Sequence, residues 1–481
     1  MKKFKTLAIL LAGILVLSAC NSNTGNTGNT GKEPSDSGSQ QQEETTDGEK
    51  DKPADEMKNV DEATGYEWPA LPKGDGSEII VWNRPFEEWN QKHFEEKVEQ
   101  YNQADRGYTV KQEFVSDATW GEQMVAAQAT KTAPDVYLAS YNHLWGSVDD
   151  ETILPLNDIF AQSQLDDISD NVREMVSFND KVYAYPQLVE PSTVLFYRTD
   201  KFAEAGIDKA PTTWAELIEA AEKLKPLTDN NSFALGIAGF GVDMAWGTWG
   251  WQLGAAGHWP IEDSWAKPAV DDSYKELALF WKELYDKQLV PEQALSAYND
   301  ITPYGEEGLF MAFSGSWGIA QLINDYPEVW ENTAIAVPPT KDGNTNSTIS
   351  TNGGWTYVID ALTQKVDGAY NYISWLLAED PARPAEFFEI AQYSKSPTRK
   401  SVHDYIDKAV SAPDHSGVVA EIAGRAVAEP NYPFSISQEV ATLFEKVALL
   451  GTDADQAVKE ANDAITEIIE REQLEGKNPR N

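Results

Sequence analysis

Residues 182–224, VYAYPQLVEPSTVLFYRTDKFAEAGIDKAPTTWAELIEAAEKL, constrain the fold more than any other stretch of the chain. Their first half holds two short extended runs, YAYPQL and STVLFYR, rich in the aromatic and β-branched residues that favour strands. Their second half predicts an amphipathic helix, because Trp214, Leu217, Ile218, Ala221 and Leu224 fall on one face. Thr213 and Glu216 have the spacing of a capping box, and Pro211 keeps the chain extended up to that cap. Upstream, the run Glu78–Asn83 reads as a buried strand, followed by a helix with Trp89, His93, Phe94, Val98 and Tyr101 at helical spacing. A second strand at 109–115, a helix around 120–130 and the apolar run at 136–140 continue the alternation. Strands alternating with helices predict an α/β fold with a parallel, doubly wound sheet.

Both ends of the composition narrow the function. The 481 residues carry a formal net charge of −40, which disfavours nucleic acid and anionic membrane surfaces as partners. Cys20 is the only cysteine, so no intramolecular disulfide can form, and five scattered histidines show no metal-ligand spacing. Lys2, Lys3 and Lys5 precede an apolar run from Leu7 to Leu17, the pattern of a signal peptide over residues 1–19. It ends in Leu17-Ser18-Ala19-Cys20, which resembles a bacterial lipobox and so implies a lipidated cysteine, and the rest of residues 20–66 reads as a disordered acidic linker.

The central segment also resembles a known family. Tyr183 to Pro186, then Leu195-Phe196-Tyr197-Arg198-Thr199-Asp200, Phe202, Ala205-Gly206, Pro211 and Thr213-Trp214-Ala215-Glu216-Leu217 are similar to a signature of family 1 of the extracellular solute-binding proteins of ABC importers, especially its carbohydrate-binding, maltodextrin-binding-protein-like branch. Arg198 departs from the usual Asn. Pro134-Asp135-Val136, Gly308 to Trp317 and Pro397 to Arg399 resemble further family pieces, so the likeness runs over roughly residues 77–470. It implies a two-lobed periplasmic-binding-protein-like fold, each lobe a mostly parallel sheet flanked by helices, with a cleft between. Residues 77–190 plus 338–395 would form lobe 1 and residues 191–337 plus 396–481 lobe 2, with crossings near 188–193, 335–340 and 394–398. It further implies cleavage before Cys20 and diacylglycerol attachment there, enough acyl chain for stable anchoring. The expected location is the outer face of the cytoplasmic membrane, in a Gram-positive bacterium. The expected partners are a carbohydrate and the transmembrane subunits of a permease, and the expected state is a monomer without cofactor or metal.

A sugar site needs flat aromatics for the C–H faces of the ring and polar groups for its hydroxyl rim. The chain has 16 tryptophans. Trp214, Trp281 and Trp375 sit on helical apolar faces and read as core. Doubly wound sheets present ligands at strand ends, which nominates Trp82, Asn83 and Arg84 after the first strand and Tyr141, Asn142 and His143 after the third. The resemblance adds Glu190, where related maltodextrin binders place a hydroxyl-accepting glutamate, and Trp317, which matches the family's cleft tryptophan. Trp246, Trp249, Trp251, Trp355, Tyr393, Arg399 and Phe434 complete the set. A secreted glycoside hydrolase would need two carboxylates spaced across a cleft. The acidic pairs Asp149/Asp150, Asp166/Asp167 and Glu306/Glu307 read instead as solvated surface, and no nucleophile, metal or phosphate-loop motif is present. The nearer alternative keeps the fold and exchanges the sugar for a peptide, polyamine or metal chelate. The many aromatics and few histidines point to a sugar.

Overall fold

The computed structural model describes residues 58–71, 73–85, 88–296, 300–344 and 346–480. The signal peptide, Cys20 and most of the expected linker lie outside them. In chain order, the strands that build the two domains are β1 (Glu78–Asn83), β2 (Thr109–Phe114), β3 (Val136–Ser140), β4 (Tyr185–Pro191), β5 (Val194–Arg198), β6 (Met311–Ser314), β7 (Thr333–Ala336), β8 (Thr351–Ile359) and β9 (Val427–Ala428).

The first sheet runs β2-β1-β3-β8, with β4 on the far side of β8 and the short β9 beside the start of β8. β1 is parallel to both β2 and β3, as the strand–helix alternation predicts. β8 is antiparallel to β3 and β4, which makes the sheet mixed. It enters from the other domain rather than through a local helical crossover, so the right-handed βαβ rule does not govern its direction. β1 alternates inward Ile79, Val81 and Asn83 with more open residues, whereas β3, flanked on both sides, is buried along nearly its whole length. Phe94, Val98 and Tyr101 of the helix Glu88–Gln103 seal one face, and Tyr101 meets Tyr372 and Trp375 edge-on at 5.2 and 5.3 Å.

The second domain is built on an antiparallel sheet in the order β6-β5-β7. The helix Trp214–Leu224 forms as predicted. Thr213 Oγ1 accepts from the Glu216 amide at 3.0 Å, and the Glu216 carboxylate accepts from the Thr213 amide at 3.3 Å. Trp214 stacks on Phe280 at 4.6 Å, Trp251 stands edge-on to Trp281 and Phe313, and Trp281 stacks on Phe444. Several tryptophans are thereby spent on core.

Two crossings lie side by side, and the second falls at 350–351 rather than near 335–340, because Thr340 still bridges Thr213 and Ile349 packs with Val194 and Ile335 of the second domain. Ser192 and Thr193 carry β4 into β5, and the Ser192 amide donates to the Thr351 carbonyl at 2.9 Å while the Thr193 amide donates to Ser350 Oγ at 3.1 Å. The third crossing does not fall at 394–398. Ser396 instead forms an antiparallel bridge with Val189, and the helix Lys400–Ala409 packs Val402 and Ile406 against Ala385 and Phe388 on the first domain. The chain passes over only in the helix Asp414–Arg425, whose Val419 and Ile422 join Val194 and Ile335 of the second domain. The linker also ends earlier than expected. Lys58–Val60 pairs antiparallel with Glu67–Pro69, and the Tyr66 hydroxyl donates to the Ala378 carbonyl at 3.0 Å. Tyr66 and Trp68, stacked at 5.9 Å, supply the apolar surface that the preceding polar run lacks.

Candidate functional site

Where residues of both domains meet, a cavity of about 170 Å³ is lined by Ser140, Tyr141, Asn142, Glu190, Ser192, Gly353, Gly354, Trp355 and Glu429, and from the second domain by Trp246 and Trp317. Each wall has a local cause. Tyr141 and Asn142 continue from the end of β3. The Tyr141 hydroxyl donates to the Leu188 carbonyl at 3.1 Å, which fixes the ring under the first crossing. Trp355 sits at a register shift between β8 and β4, where Gln187 is an extra residue opposite the Trp355–Thr356 step. Such a bulge re-aims a side chain. Gly354 has φ +126, and a Cβ there would stand 2.5 Å from the Leu188 carbonyl oxygen, so this close approach requires glycine. Trp317 precedes the helix Gly318–Asp325, and its ring folds back over Gly315, where any Cβ would overlap the indole. The Ser316 amide donates to the Pro191 carbonyl at 2.9 Å, tying this loop to the crossing. Trp246, on the short helix Val242–Gly247, lies 6.3 Å from Trp317 with the rings inclined at 41°.

The polar side of the cavity is carboxylate-rich. Lys395, its side chain fully buried, donates to Glu190 Oε2 at 2.9 Å. Glu429 follows β9 and is half-buried. Burial, and secondarily the neighbouring Glu190 charge, push its carboxyl up to about 7. Gly353 makes room for it, since an added Cβ would sit 3.3 Å from Glu429 Oε1. A larger cavity of about 1000 Å³ shares Glu429 and is lined by loops at 253–259, 341–348 and 426–432 together with Arg480. The smaller cavity is the better ligand site despite its size, because it alone gathers three half-buried indoles and the Glu190–Lys395 pair at strand ends.

A family model described as bacterial extracellular solute-binding protein matches residues 96–416. The chain belongs to the bacterial extracellular solute-binding proteins. The mannitol-binding protein of Pseudomonas aeruginosa is 24% identical to this binding protein over 297 residues, 60% of this chain and 65% of that relative. Among solved structures, the sugar-binding protein MalE of Xanthomonas citri superposes with a TM-score of 0.69 at 19% identity, covering 82% of this chain and 98% of the other. The cyclic α-maltosyl-1,6-maltose binding protein of Arthrobacter globiformis gives a TM-score of 0.69 at 20% identity, over 82% and 99%. Likeness at this level establishes the two-domain fold.

The binding protein brings Tyr141, Asn142, Glu190, Trp246, Trp317 and Trp355 together at the cavity. Other nominated residues lie elsewhere. Asn83 is fully buried, donating to Gln112 and accepting from Tyr357, so it fastens β1 to its neighbours. Arg84 stacks between Trp120 and Trp355, 4.8 and 4.5 Å from their ring centres, and Trp82 stands edge-on to Trp120. His143 contacts Ser140 Oγ at 3.0 Å. Trp251 is core, and Trp249 is buried with its Nε1 donating to Ser437 and its ring edge-on to Phe434. Tyr393 packs with Leu188 and Phe388. Arg399 is 1% exposed and donates to Asp167, Leu377 and Glu379 while lying over the Tyr66 ring, so it holds loops together. Glu429 was not legible in the sequence, being one of 78 acidic residues outside any motif. Among the described residues, no group of three or more His, Cys, Asp or Glu is placed to hold a metal, and no helix is long and apolar enough to cross a membrane.

Proposed function

We propose that this binding protein is the sugar receptor of an ABC importer, anchored through Cys20 and delivering its ligand to a permease. The observation that carries the reading is the set of three indoles drawn from both domains around one carboxylate–lysine pair: Trp246 and Trp317 opposite Trp355, Glu190 and Lys395. Indole faces take the C–H faces of a sugar ring, and the oxygen of Glu190 that Lys395 does not hold takes a hydroxyl. Contacts on both domains favour the closed state by their differential affinity for it, and no bond is made or broken. The cavity, about 170 Å³, is smaller than the roughly 300–1,000 Å³ usual for small-molecule sites. It suits one ring, and an oligosaccharide requires the domains to part.

A thermal-shift screen of the soluble domain against maltose, maltotriose, D-mannitol, amino acids and polyamines tests this. At a hundredfold excess over Kd a true ligand adds about 2.7 kcal/mol, a shift of several degrees. A sugar shift that Trp317→Ala abolishes, with the sugar recovered uncleaved, supports the reading. A shift with polyamines or peptides alone overturns the sugar assignment. For the anchor, Cys20→Ala should move the protein from the membrane fraction to the medium.

A further inference from the structure

Glu429 stands out among the cavity groups. Its carboxyl rests against Gly353 and borders both cavities, and among the described residues no hydrogen-bond donor reaches it. The charge that acts on it is that of Glu190, of like sign. An ionised carboxylate only accepts hydrogen bonds, and leaving a partly desolvated one without donors is costly. A ligand carrying hydroxyl donors can supply hydrogen bonds to this carboxylate.

Building on the sugar-receptor reading, we propose that Glu429 is a specificity-determining ligand contact that accepts hydrogen bonds from hydroxyls of a neutral sugar and rejects sugars bearing a carboxylate or phosphate. The attraction is a pair of charge-assisted hydrogen bonds to an otherwise unsatisfied group. The rejection is electrostatic: an acidic sugar would bring a further negative charge beside Glu190 and Glu429, where Lys395 is already paired. Selectivity built from repulsion as well as attraction is the general rule. The other charged or titratable groups around the two cavities are Tyr141, Arg84, stacked on Trp355, and on the larger cavity Glu174, His258, Asp263, Lys341, Asp342, Tyr432 and Arg480; burial raises both phenols, so neither tyrosine ionises in the pH range of Glu429.

Burial and the Glu190 charge hold the Glu429 carboxyl up at about 7. A ligand that donates to the carboxylate lowers that value, so binding expels a proton and affinity rises with pH. With the group about one-tenth ionised at pH 6 and nine-tenths at pH 8, the gain is about tenfold.

The test is isothermal titration of wild type, Glu429→Gln and Glu429→Asp at pH 6, 7 and 8, with whichever of maltose, maltotriose and D-mannitol gives the largest thermal shift. Glucose, glucuronate and glucose 6-phosphate serve as competitors. The expected result is a roughly tenfold rise for wild type, a pH dependence kept by Glu429→Asp and a flat profile for Glu429→Gln. The acidic competitors should gain at least tenfold on glucose in Glu429→Gln. Equal affinity, pH slope and competitor ranking in wild type and Glu429→Gln would overturn the role of Glu429 while leaving a sugar receptor standing. Failure of wild type to bind any of the three sugars would overturn the sugar reading beneath it.

Discussion

Removing Asp167 should unravel a junction that the ligand never touches. Its carboxylate accepts from Arg399 Nε at 2.6 Å, from the Ser401 amide at 2.9 Å and from Ser401 Oγ at 2.6 Å. The side chains of Asp167 and Arg399 are only 7% and 2% exposed. Asp167→Ala leaves the Arg399 guanidinium buried with its countercharge gone, a loss of about 3–5 kcal/mol. At roughly 2–4 °C per kcal/mol for a domain of this size, Tm should fall by about 10 °C in calorimetry. The double variant Asp167→Ala/Arg399→Met takes away the stranded charge as well and should regain at least half of the loss, the coupling that a double-mutant cycle isolates. Sugar affinity of the folded fraction should stay within about twofold, since neither residue borders the cavity. A fall of less than about 1 kcal/mol for the single variant, or a double variant no more stable than the single, would refute the reasoning.

Two tryptophans should separate binding from stability. Trp317→Ala should weaken sugar binding by about 1–3 kcal/mol with little change in Tm, whereas Trp251→Ala, which removes a ring between Phe280, Trp281 and Phe313, should cost about 3–5 kcal/mol of stability by urea denaturation. Gly354→Ala forces a Cβ against the Leu188 carbonyl at positive φ and should cost about 1–3 kcal/mol while shifting Trp355 enough to weaken sugar binding in titration. The Glu216 carboxyl is held down at about 2 by hydrogen bonds from the Thr212 hydroxyl and amide. Its contribution is therefore complete above the ordinary carboxylate range and is lost as pH falls toward 2, so the stability gap between wild type and Glu216→Gln should close over that interval in acid titrations by circular dichroism.

What the sequence made legible was local. The cap at Thr213, the inward stripe of the helix that follows it, and the alternation of β1 depend on neighbours a few residues away, and all appear as read. The direction of β8 and the position of the third crossing depend on segments hundreds of residues apart, and no periodicity encodes them. The site divides in the same way. Motif resemblance points to Trp317 and Glu190, which line the cavity, whereas an arginine near a crossing looks the same in sequence whether it meets a ligand or, as Arg399 does, Asp167. Trp246 and Trp251 lie five residues apart in one aromatic run, yet one faces the cavity and the other the core. Only the turn from the short helix into its successor decides which. Glu429 reaches the cavity through a two-residue strand pairing with β8, a contact too brief to leave a pattern.

The insertion of β8 between β3 and β4 also governs the order in which this chain can fold. Until residue 359 has left the ribosome, the strands at 136–140 and 185–191 have no partner between them, and the first domain exposes two open edges. The second domain waits longer still, because Val440, Phe444, Ile465 and Ile468 pack into the same core as Trp214 and Trp281. Contacts of such long sequence separation slow folding. A nascent chain of 300 residues therefore has neither domain complete, and both domains close only once the last third of the chain has been made.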